Sequence, residues 1–344
     1  MMGRMNYKAL ATLAIAATIA FAQPVAFIAQ EAGKAAEILA LARKAIGGKK
    51  LETLKTFSVE SSLLRNVQTM QMNSDVEILL ELPDKYLRSE ASSGGGSHGG
   101  MVVMSGGGVT GFDGDRPLQK VNTGGLPAGG MVIRMGGPAG VSNGEKPTPE
   151  QLAEMNKTMV RSSRTEASRL MLGWFAMAHP AINAQYTYLG DAESPDGKAY
   201  VLEVKSADNF AARLFVDMQT HLPLMVTYKA AQPRMMSAGG GARQVTPMGG
   251  SGGSGHAVTM SASMTDEEKK KAQAEIDKQV RELQQAPPVM ADYTVFFEEW
   301  KDADGVKFPF KMRRAMGAET TEEWTISKIK LNPKIDPKRF KGES

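Results

Sequence analysis

Three blocks of the chain alternate apolar and polar residues with a period of two, which is the pattern of a sheet that buries one face. The alternating residues are Phe57, Val59, Ser61, Leu63, Val76, Ile78, Leu80 and Leu82 in the first block, Tyr200, Leu202, Val204, Leu214, Val216, Met218, Leu224, Val226 and Tyr228 in the second, and Tyr293, Val295, Phe297, Phe308, Phe310, Met312, Trp324 and Ile326 in the third. Tyr86 begins a further short strand that extends to Glu90, and turns at 217–220 and 302–305 join neighbouring strands as hairpins. We therefore predict an α+β fold that is mainly antiparallel β.

Helical periodicity appears between these blocks. Residues 31–46 form an amphipathic pattern that Gly47-Gly48 ends. Thr148 and Pro149 open a second helix, as N-cap and first helical residue, which we expect to end at His179-Pro180. A third, mostly charged helix at 265–285 begins with a capping box and is predicted to lie on the surface.

Glycine is concentrated in two places that we expect to lie outside the core. Of 36 glycines, 17 lie between 94 and 140 and 8 between 239 and 255. We predict glycine-rich excursions at 94–147 and 231–262 from a single domain at 23–344, since such segments have few large apolar residues and a high backbone entropy. Within the first excursion, small apolar islands at 111–114 and 131–133 are candidate strands.

The N-terminus is typical of an export signal. Arg4 and Lys8 precede an apolar run at 9–21, and Ala20-Phe21-Ala22 offers a cleavage site, so residues 1–22 are predicted to be a signal peptide, either cleaved or retained as an anchor. The chain has no cysteine, which excludes disulfides, thiolate metal sites and a lipidated cysteine. We predict a periplasmic protein. The formal charge of +4 falls to +2 without the two signal bases, so no nucleic-acid partner is expected.

Motifs for catalysis are weak. Ser142 lies in a G-x-S-x-G match without the preceding strand and following helix that the nucleophile elbow requires, and the G-x-G-x-x-G match at 94–99 lacks a strand–helix unit. The four histidines show no zinc-ligand spacing. We predict no catalytic residue, no metal and no cofactor, with an exported hydrolase that uses Ser142 as the competing reading.

Methionine is abundant, with 23 in the chain. The groups Met70-x-Met72, Met101-x-x-Met104 and Met235-Met236 are either soft ligands for copper(I) or packing residues of an adaptable apolar surface.

Residues 170–178 are more apolar than one helical stripe requires. The segment is either a buried core helix or a lid over a ligand on the sheet. In the second case the ligand-binding residues are Leu170, Met171, Trp174 and Phe175 of the helix with Val76, Ile78, Leu80 and Leu82 of the sheet.

The C-terminal 40 residues contain ten Lys or Arg and five acids. They are interpreted either as a solvated tail or as a weak contact with an anionic membrane surface.

Several local patterns resemble those of the periplasmic lipoprotein carriers and outer-membrane lipoprotein-sorting proteins, the LolA/LolB-like group. They are Glu81-Leu82-Pro83-Asp84-Lys85-Tyr86-Leu87-Arg88, Phe112-Asp113-Gly114, Leu214-Phe215-Val216-Asp217 with Thr220-His221-Leu222-Pro223, Asp304-Gly305-Val306-Lys307-Phe308-Pro309-Phe310, and Ile329-Lys330-Leu331-Asn332-Pro333-Lys334-Ile335-Asp336 through Phe340.

The resemblance implies an incomplete, half-open β-barrel whose helices cover an apolar cavity on the concave face. It implies non-enzymatic binding of a lipid or of lipoprotein acyl chains, with an envelope protein complex as a further partner. A stress-sensing module of the same fold, which binds a regulatory protein, is the alternative. The family has an arginine directly before the proline at position 83, where it helps to latch the lid; this chain has Leu82 there.

Overall fold

The structure is a computed structural model that describes residues 25–67, 70–92, 97–98, 101–102, 108–121, 148–195, 197–232, 234–239, 242–247, 258–259, 265, 267, 271 and 287–341. The predicted signal segment 1–22, Ser142, the island at 131–133 and nearly all of the predicted helix 265–285 lie outside these residues. The side chains of Met70, Met101, Met104, Met235 and Met236 are not among those described either, so the copper hypothesis stays a prediction.

Strands make up most of the described chain. They are β1 (Thr56–Val67), β2 (Met70–Glu81), β3 (Lys85–Ser92), β4 (Ser97–His98), β5 (Met101–Val102), β6 (Gly108–Asp113), β7 (Arg116–Val121), β8 (Gln185–Ser194), β9 (Gly197–Lys205), β10 (Ala211–Asp217), β11 (Pro223–Ala231), β12 (Arg234–Gly239), β13 (Ala242–Pro247), β14 (Val258–Thr259), β15 (Met290–Ala303), β16 (Val306–Met316) and β17 (Glu319–Leu331).

Twelve of these strands form one sheet in the order β7-β6-β3-β2-β1-β17-β16-β15-β11-β10-β9-β8. All neighbouring strands in it are antiparallel. The edge strands β7 and β8 are not paired with each other, so the sheet is open. The predicted α+β class, with a half-open barrel of antiparallel strands, is confirmed.

The prediction that the glycine-rich region at 94–147 lies outside the core is wrong for residues 108–121, because β6 and β7 join this sheet and bury Phe112 and Leu118. The island at 111–114 belongs to the β6–β7 hairpin, as predicted, and Phe112 of β6 pairs with Tyr86 of β3. The strands β12, β13 and β14 form a separate small sheet, and β4 pairs with β5.

The helices are α1 (Val25–Ile46), α2 (Lys49–Glu52) and α3 (Pro149–Phe175), with short 3-10 turns at Pro180–Ile182 and Pro337–Lys341. Helix α1 begins six residues before the predicted start and buries Ala35, Ile38 and Ala42 in the main apolar core. It ends as predicted, because the amides of Gly47 and Gly48 both donate to the carbonyl of Arg43 at 3.0 and 2.8 Å.

Helix α3 begins as predicted and ends early. The Thr148 hydroxyl accepts a bond from the Gln151 amide at 3.3 Å, and the Gln151 side chain accepts one from the Thr148 amide at 2.9 Å. The predicted end at His179-Pro180 is wrong, since α3 ends at Phe175 and Ala176 is left-handed. The amides of Ala178 and His179 donate to Tyr186 Oη and Ser168 Oγ instead of to helix carbonyls.

The second alternating block differs in detail. The pairing of β10 with β11 shifts between Phe215 and Val216, and Leu224 therefore packs with Phe215 and Met225 on the opposite face from Val226. Met218 lies in the turn after β10. The edge strand β8 was not predicted.

The C-terminal segment is anchored to the convex face of the sheet. Phe340 is buried against Leu79, Leu87 and Leu118, and Arg339 forms an ion pair with Glu77. The lysines of this segment, Lys334, Lys338 and Lys341, are exposed. A purely solvated tail is therefore corrected to a docked segment with a basic outer surface, because burying the Phe340 ring ties it down.

Candidate ligand-binding face

The structure brings the eight predicted site residues into one apolar cluster on the concave face. Val76, Ile78 and Leu80 of β2 are buried there, and Leu82, just after the strand, is partly buried against the same cluster. Leu170, Met171, Trp174 and Phe175 of α3 belong to the same cluster. The period-two pattern of β2 explains this placement, because alternate side chains of a strand point to the same face.

An aromatic group forms the centre of this cluster. The ring of Phe57 lies 5.0 Å from Phe175 and 5.9 Å from Trp174, and Phe308 lies 5.3 Å from both Phe57 and Trp174. Tilted and edge-on geometries of this kind add to the free energy of simple burial. Phe57 and Phe308 were predicted as inward strand residues but not as part of the site.

Helix α3 approaches the sheet closely at Gly173. A Cβ atom on this residue would lie 1.8 Å from Cζ of Phe297 in β15. A glycine inside a helix costs about 1 kcal/mol relative to alanine. The close contact with Phe297 is the physical reason for a glycine at this position.

The two halves of α3 differ in exposure. From Pro149 to Met159 the residues are exposed or half-buried, and Leu152 keeps 48% of its surface exposed. From Ala167 onward nearly every residue is buried. The C-terminal half of α3 is therefore the part that covers the concave face.

Beyond this apolar region, charged side chains occupy the inward positions. The charged cluster consists of Arg65, Arg88, Glu90, Glu166, Arg169, Arg314 and Glu322. Arg65 follows Leu63 on the inward face of β1, and it is paired in register with Glu322 of β17. Strand alternation therefore continues into this region, but with charged residues in place of apolar ones.

Glu322 is the central carboxylate of the charged cluster. It accepts hydrogen bonds from Arg65 Nε at 3.1 Å and Trp324 Nε1 at 3.3 Å, and it lies 3.1 Å from Arg314 Nη1. Burial alone would raise the pKa of Glu322, but the charges of Arg314 and Arg65 outweigh it and lower the pKa to about 2.

Arg88 joins the sheet to α3 within the charged cluster. Its guanidinium pairs with Glu90 at 3.0 Å and with Glu166 of α3, and it lies 4.8 Å from the centre of the Trp324 ring. Although burial opposes the charge, Glu166 and Glu322 raise the pKa of Arg88. This contact places a charge-assisted bond beside the apolar helix–sheet contact.

Solved structures of LolA-like proteins align with this chain. A LolA superfamily protein from Nitrosomonas europaea covers 89% of this chain and 96% of its own length, with 11% identity and a TM-score of 0.42. A putative outer membrane lipoprotein-sorting protein domain from Vibrio parahaemolyticus covers 90% and 97%, with 11% identity and a TM-score of 0.38. A DUF1329 family protein from Desulfovibrio piger ATCC 29098 covers 89% and 96%, with 10% identity and a TM-score of 0.41.

No protein-family model matches the chain, and no curated protein matches it. The fold itself rests on the strand order and pairings of this chain.

His179 is buried close to the end of α3. Its Nδ1 accepts a hydrogen bond from the Ala181 amide at 3.3 Å, and its ring lies edge-on to Phe112 at 5.2 Å. Burial, with a smaller effect of the Arg164 charge, lowers the pKa of His179 to about 4. A neutral histidine in this position caps a turn.

Two features are absent from the described part of the chain. Within it, no group of three acidic or histidine side chains is arranged to hold a metal ion. No helix there combines the length and the apolar character needed to cross a membrane.

Proposed function

We propose that this protein is a non-enzymatic carrier that binds a lipid or an acylated protein between α3 and the concave face of the sheet. The observation that carries the proposal is the apolar cluster in which Leu170, Met171, Trp174 and Phe175 cover the inward side chains of an open sheet. Apolar contacts are non-directional, so an acyl chain can replace the contacts of these side chains at about 0.8 kcal/mol per buried methylene.

The attachment of α3 supports movement about its C-terminal end. The chain just after the helix is fixed by hydrogen bonds from the amides of Ala178 and His179 to side chains. Toward the N-terminus, α3 is held to the rest of the fold by the buried side chain of Val160 and by two ion pairs, Arg88 with Glu166 and Arg164 with Asp115. The N-terminal half is largely exposed. An entering chain would therefore lift the helix from its N-terminal side.

The flexible, unbranched side chains at the helix–sheet contact favour an adaptable surface. Met171 is buried on the helix side and Met312 on the sheet side, both next to Trp174 in the core. Thioether side chains repack at low cost around ligands of different shape. This suits the binding of acyl chains, which have no fixed shape.

Periplasmic location belongs to the same proposal and depends on the signal segment predicted at 1–22. The exposed lysines Lys334, Lys338 and Lys341 give the docked C-terminal segment a basic outer surface. Such a surface gains about 1 kcal/mol per charge beside an anionic membrane. We propose that it places the carrier weakly at a membrane while a lipid enters or leaves.

The experiment is lipid extraction and native mass spectrometry of the full chain purified from envelope fractions, followed by titration with a fluorescent fatty acid. We expect bound lipid in the purified protein and saturable binding of the probe. Met171→Gln should weaken binding, whereas Leu152→Gln, at an exposed position on the same helix, should not. A folded protein that retains no lipid and binds no probe would overturn the proposal.

A further inference from the structure

The charged cluster contains one positive charge more than its carboxylates balance. Arg65, Arg88, Arg169 and Arg314 face Glu90, Glu166 and Glu322. Three of the four arginines form ion pairs with these carboxylates. Arg169 of α3 forms none with any described residue. A buried charge without a partner is costly, so the imbalance requires an explanation.

Arg169 is held in place by aromatic contacts. Its guanidinium carbon lies 3.6 Å from the centre of the Tyr228 ring, and Tyr228 stacks on Tyr293 at 5.4 Å with an angle of 10° between the rings. Arg169 also makes a side-chain hydrogen bond with Tyr228, which uses only part of the five N–H donors of a guanidinium. The Nε atom of Arg169 is buried and has no hydrogen-bond partner among the described residues.

Two further donors in the same region are buried without a partner. They are Nε of Arg314, whose Nη1 pairs with Glu322, and the hydroxyl of Tyr86. Tyr86 lies two residues before Arg88 on the same face of β3, and Arg88 pairs with Glu166, which lies one turn before Arg169 on α3. Glu322 joins Arg314 to Arg65, and Arg65 and Arg88 both pair with Glu90. The three unpaired donors therefore belong to one region of the concave face, between β3, β16 and α3.

We propose that Arg169, Arg314 and Tyr86 bind an oxyanion, a carboxylate or phosphate group, at the charged end of the concave face. Planar guanidinium donors match the oxygen geometry of these groups, and the anion would neutralise the excess positive charge. Solvent reaches the edge of this region, where the side chains of Arg314 and Glu166 keep 23% and 26% of their surface exposed.

The site does not depend on the proposed binding of acyl chains. Its oxyanion is either a free anion or the head group of a bound amphiphile, whose chain would then extend toward Trp174. Inorganic phosphate, dodecyl phosphate and dodecanol distinguish these sources, because they present the anion alone, the anion with a chain, and the chain alone.

The test is calorimetric titration of the full chain with each probe, for the wild type, Arg169→Gln and Tyr86→Phe. Arg161→Gln is the matched control, because Arg161 lies on the same helix but is exposed. We expect phosphate or dodecyl phosphate to bind the wild type and the control, and to bind Arg169→Gln about tenfold or more weakly, as for loss of a charge-assisted bond.

Thermal unfolding separates this role from a purely structural one. Without an anion, Arg169→Gln should unfold at the same temperature as the wild type or higher, because it removes an uncompensated charge. Phosphate should raise the unfolding temperature of the wild type more than that of the variant. Tyr86→Phe keeps the buried ring but removes the hydroxyl donor, so phosphate should raise its unfolding temperature less than that of the wild type.

Each outcome decides one of the two proposals. Equal anion binding by the wild type and Arg169→Gln, or no anion binding at all, would overturn the oxyanion site. Dodecanol bound as tightly as dodecyl phosphate would also overturn it, while leaving acyl binding intact. Phosphate bound as tightly as dodecyl phosphate, with no binding of dodecanol, would support the oxyanion site and contradict acyl binding.

Discussion

The indole Nε1 of Trp174 lies 3.1 Å from the sulfur of Met312, which joins the middle of the apolar helix segment to strand β16. This nitrogen is the one polar atom of the Trp174 side chain, and a buried N–H needs an acceptor. The thioether supplies a weak acceptor on a side chain that can change its rotamer. The contact therefore satisfies the indole N–H through a weak acceptor, as the proposed movement of α3 requires.

Trp174→Ala should both destabilise the fold and weaken lipid binding. The side chain is 0% exposed, and truncating a buried tryptophan typically costs about 3–5 kcal/mol. Urea unfolding measures the first effect, and titration of the folded fraction with a fatty acid measures the second. A large loss of stability with unchanged affinity would mean that Trp174 belongs to the core alone.

Gly173→Ala should force α3 away from β15. The new Cβ would lie 1.8 Å from Cζ of Phe297, and overpacking of this kind costs about 1–3 kcal/mol. Gly33→Ala in α1 is the control, since a Cβ there meets nothing within 4 Å and should be neutral or stabilising. Adding Phe297→Leu to Gly173→Ala should recover part of the lost free energy of unfolding. Absence of any recovery would contradict the clash.

The sequence predicted the sheet and its inward face better than the ends of elements. Alternation placed Phe57, Val76 and Phe308 correctly, because burial on one face of an open sheet imposes a period of two. The end of α3 was predicted too late, because the amides of Ala178 and His179 donate to the side chains of Tyr186 and Ser168. The pattern of apolar residues does not reveal such contacts. Leu224 was assigned to the wrong face because a single shift of register reverses the alternation.

The charged cluster was not predicted. Arg65 and Glu322 were not recognised as inward positions, although Arg65 continues the alternation of β1 beyond Leu63 and Glu322 lies two residues before Trp324. Periodicity of apolar residues cannot detect a face that becomes charged. The pairing of β1 with β17, which brings Arg65 beside Glu322, joins residues from opposite ends of the chain.

His179 should make the protein less stable as the pH falls from about 6.5 to about 4. The pKa of His179 is about 4 in the folded state and 6.5 for a free histidine side chain, so the unfolded state binds more protons in this range. The stability is fully present above the unfolded pKa and is lost by up to about 3 kcal/mol toward the folded pKa.

His179→Asn provides the check, because asparagine keeps an acceptor for the Ala181 amide and does not titrate. The free energy of unfolding, measured by urea titration at several pH values, should depend less on pH between 4 and 6.5 in this variant. If the free energy of unfolding changed with pH in the same way in the wild type and the variant, His179 would be excluded as the cause of the loss of stability.

Glu322→Gln should destabilise the protein strongly, because it removes the carboxylate that Arg65 and Arg314 share. Removing one partner of a buried ion pair costs about 3–5 kcal/mol of stability, because the other charge stays buried without compensation. Glu60→Gln is the control, because Glu60 pairs with Lys328 at the surface and should change stability by less than about 1 kcal/mol. Equal effects of the two changes, by thermal unfolding, would contradict the central role of Glu322.

Titration of Glu322 should cause a second loss of stability, at lower pH than that of His179. The pKa of Glu322 is lowered from 4.5 to about 2, so its contribution is present above pH 4.5 and is lost as the pH falls toward 2. This pH range lies mostly below that of His179. Glu322→Gln should reduce the dependence of the unfolding free energy on pH between 4.5 and 2, without changing it at higher pH. Loss of stability between pH 4.5 and 2 that is unchanged in Glu322→Gln would assign it to other carboxylates.

The most direct test of acyl binding is quenching of Trp174 fluorescence by a brominated acyl chain. The chain has three tryptophans, so Trp300→Phe with Trp324→Phe leaves Trp174 as the only one. The account predicts that dibrominated stearic acid quenches Trp174 emission in a saturable way, that unbrominated stearic acid competes, and that aqueous iodide does not quench the buried ring. Binding of the fatty acid without any quenching of Trp174 would contradict a ligand between α3 and the sheet.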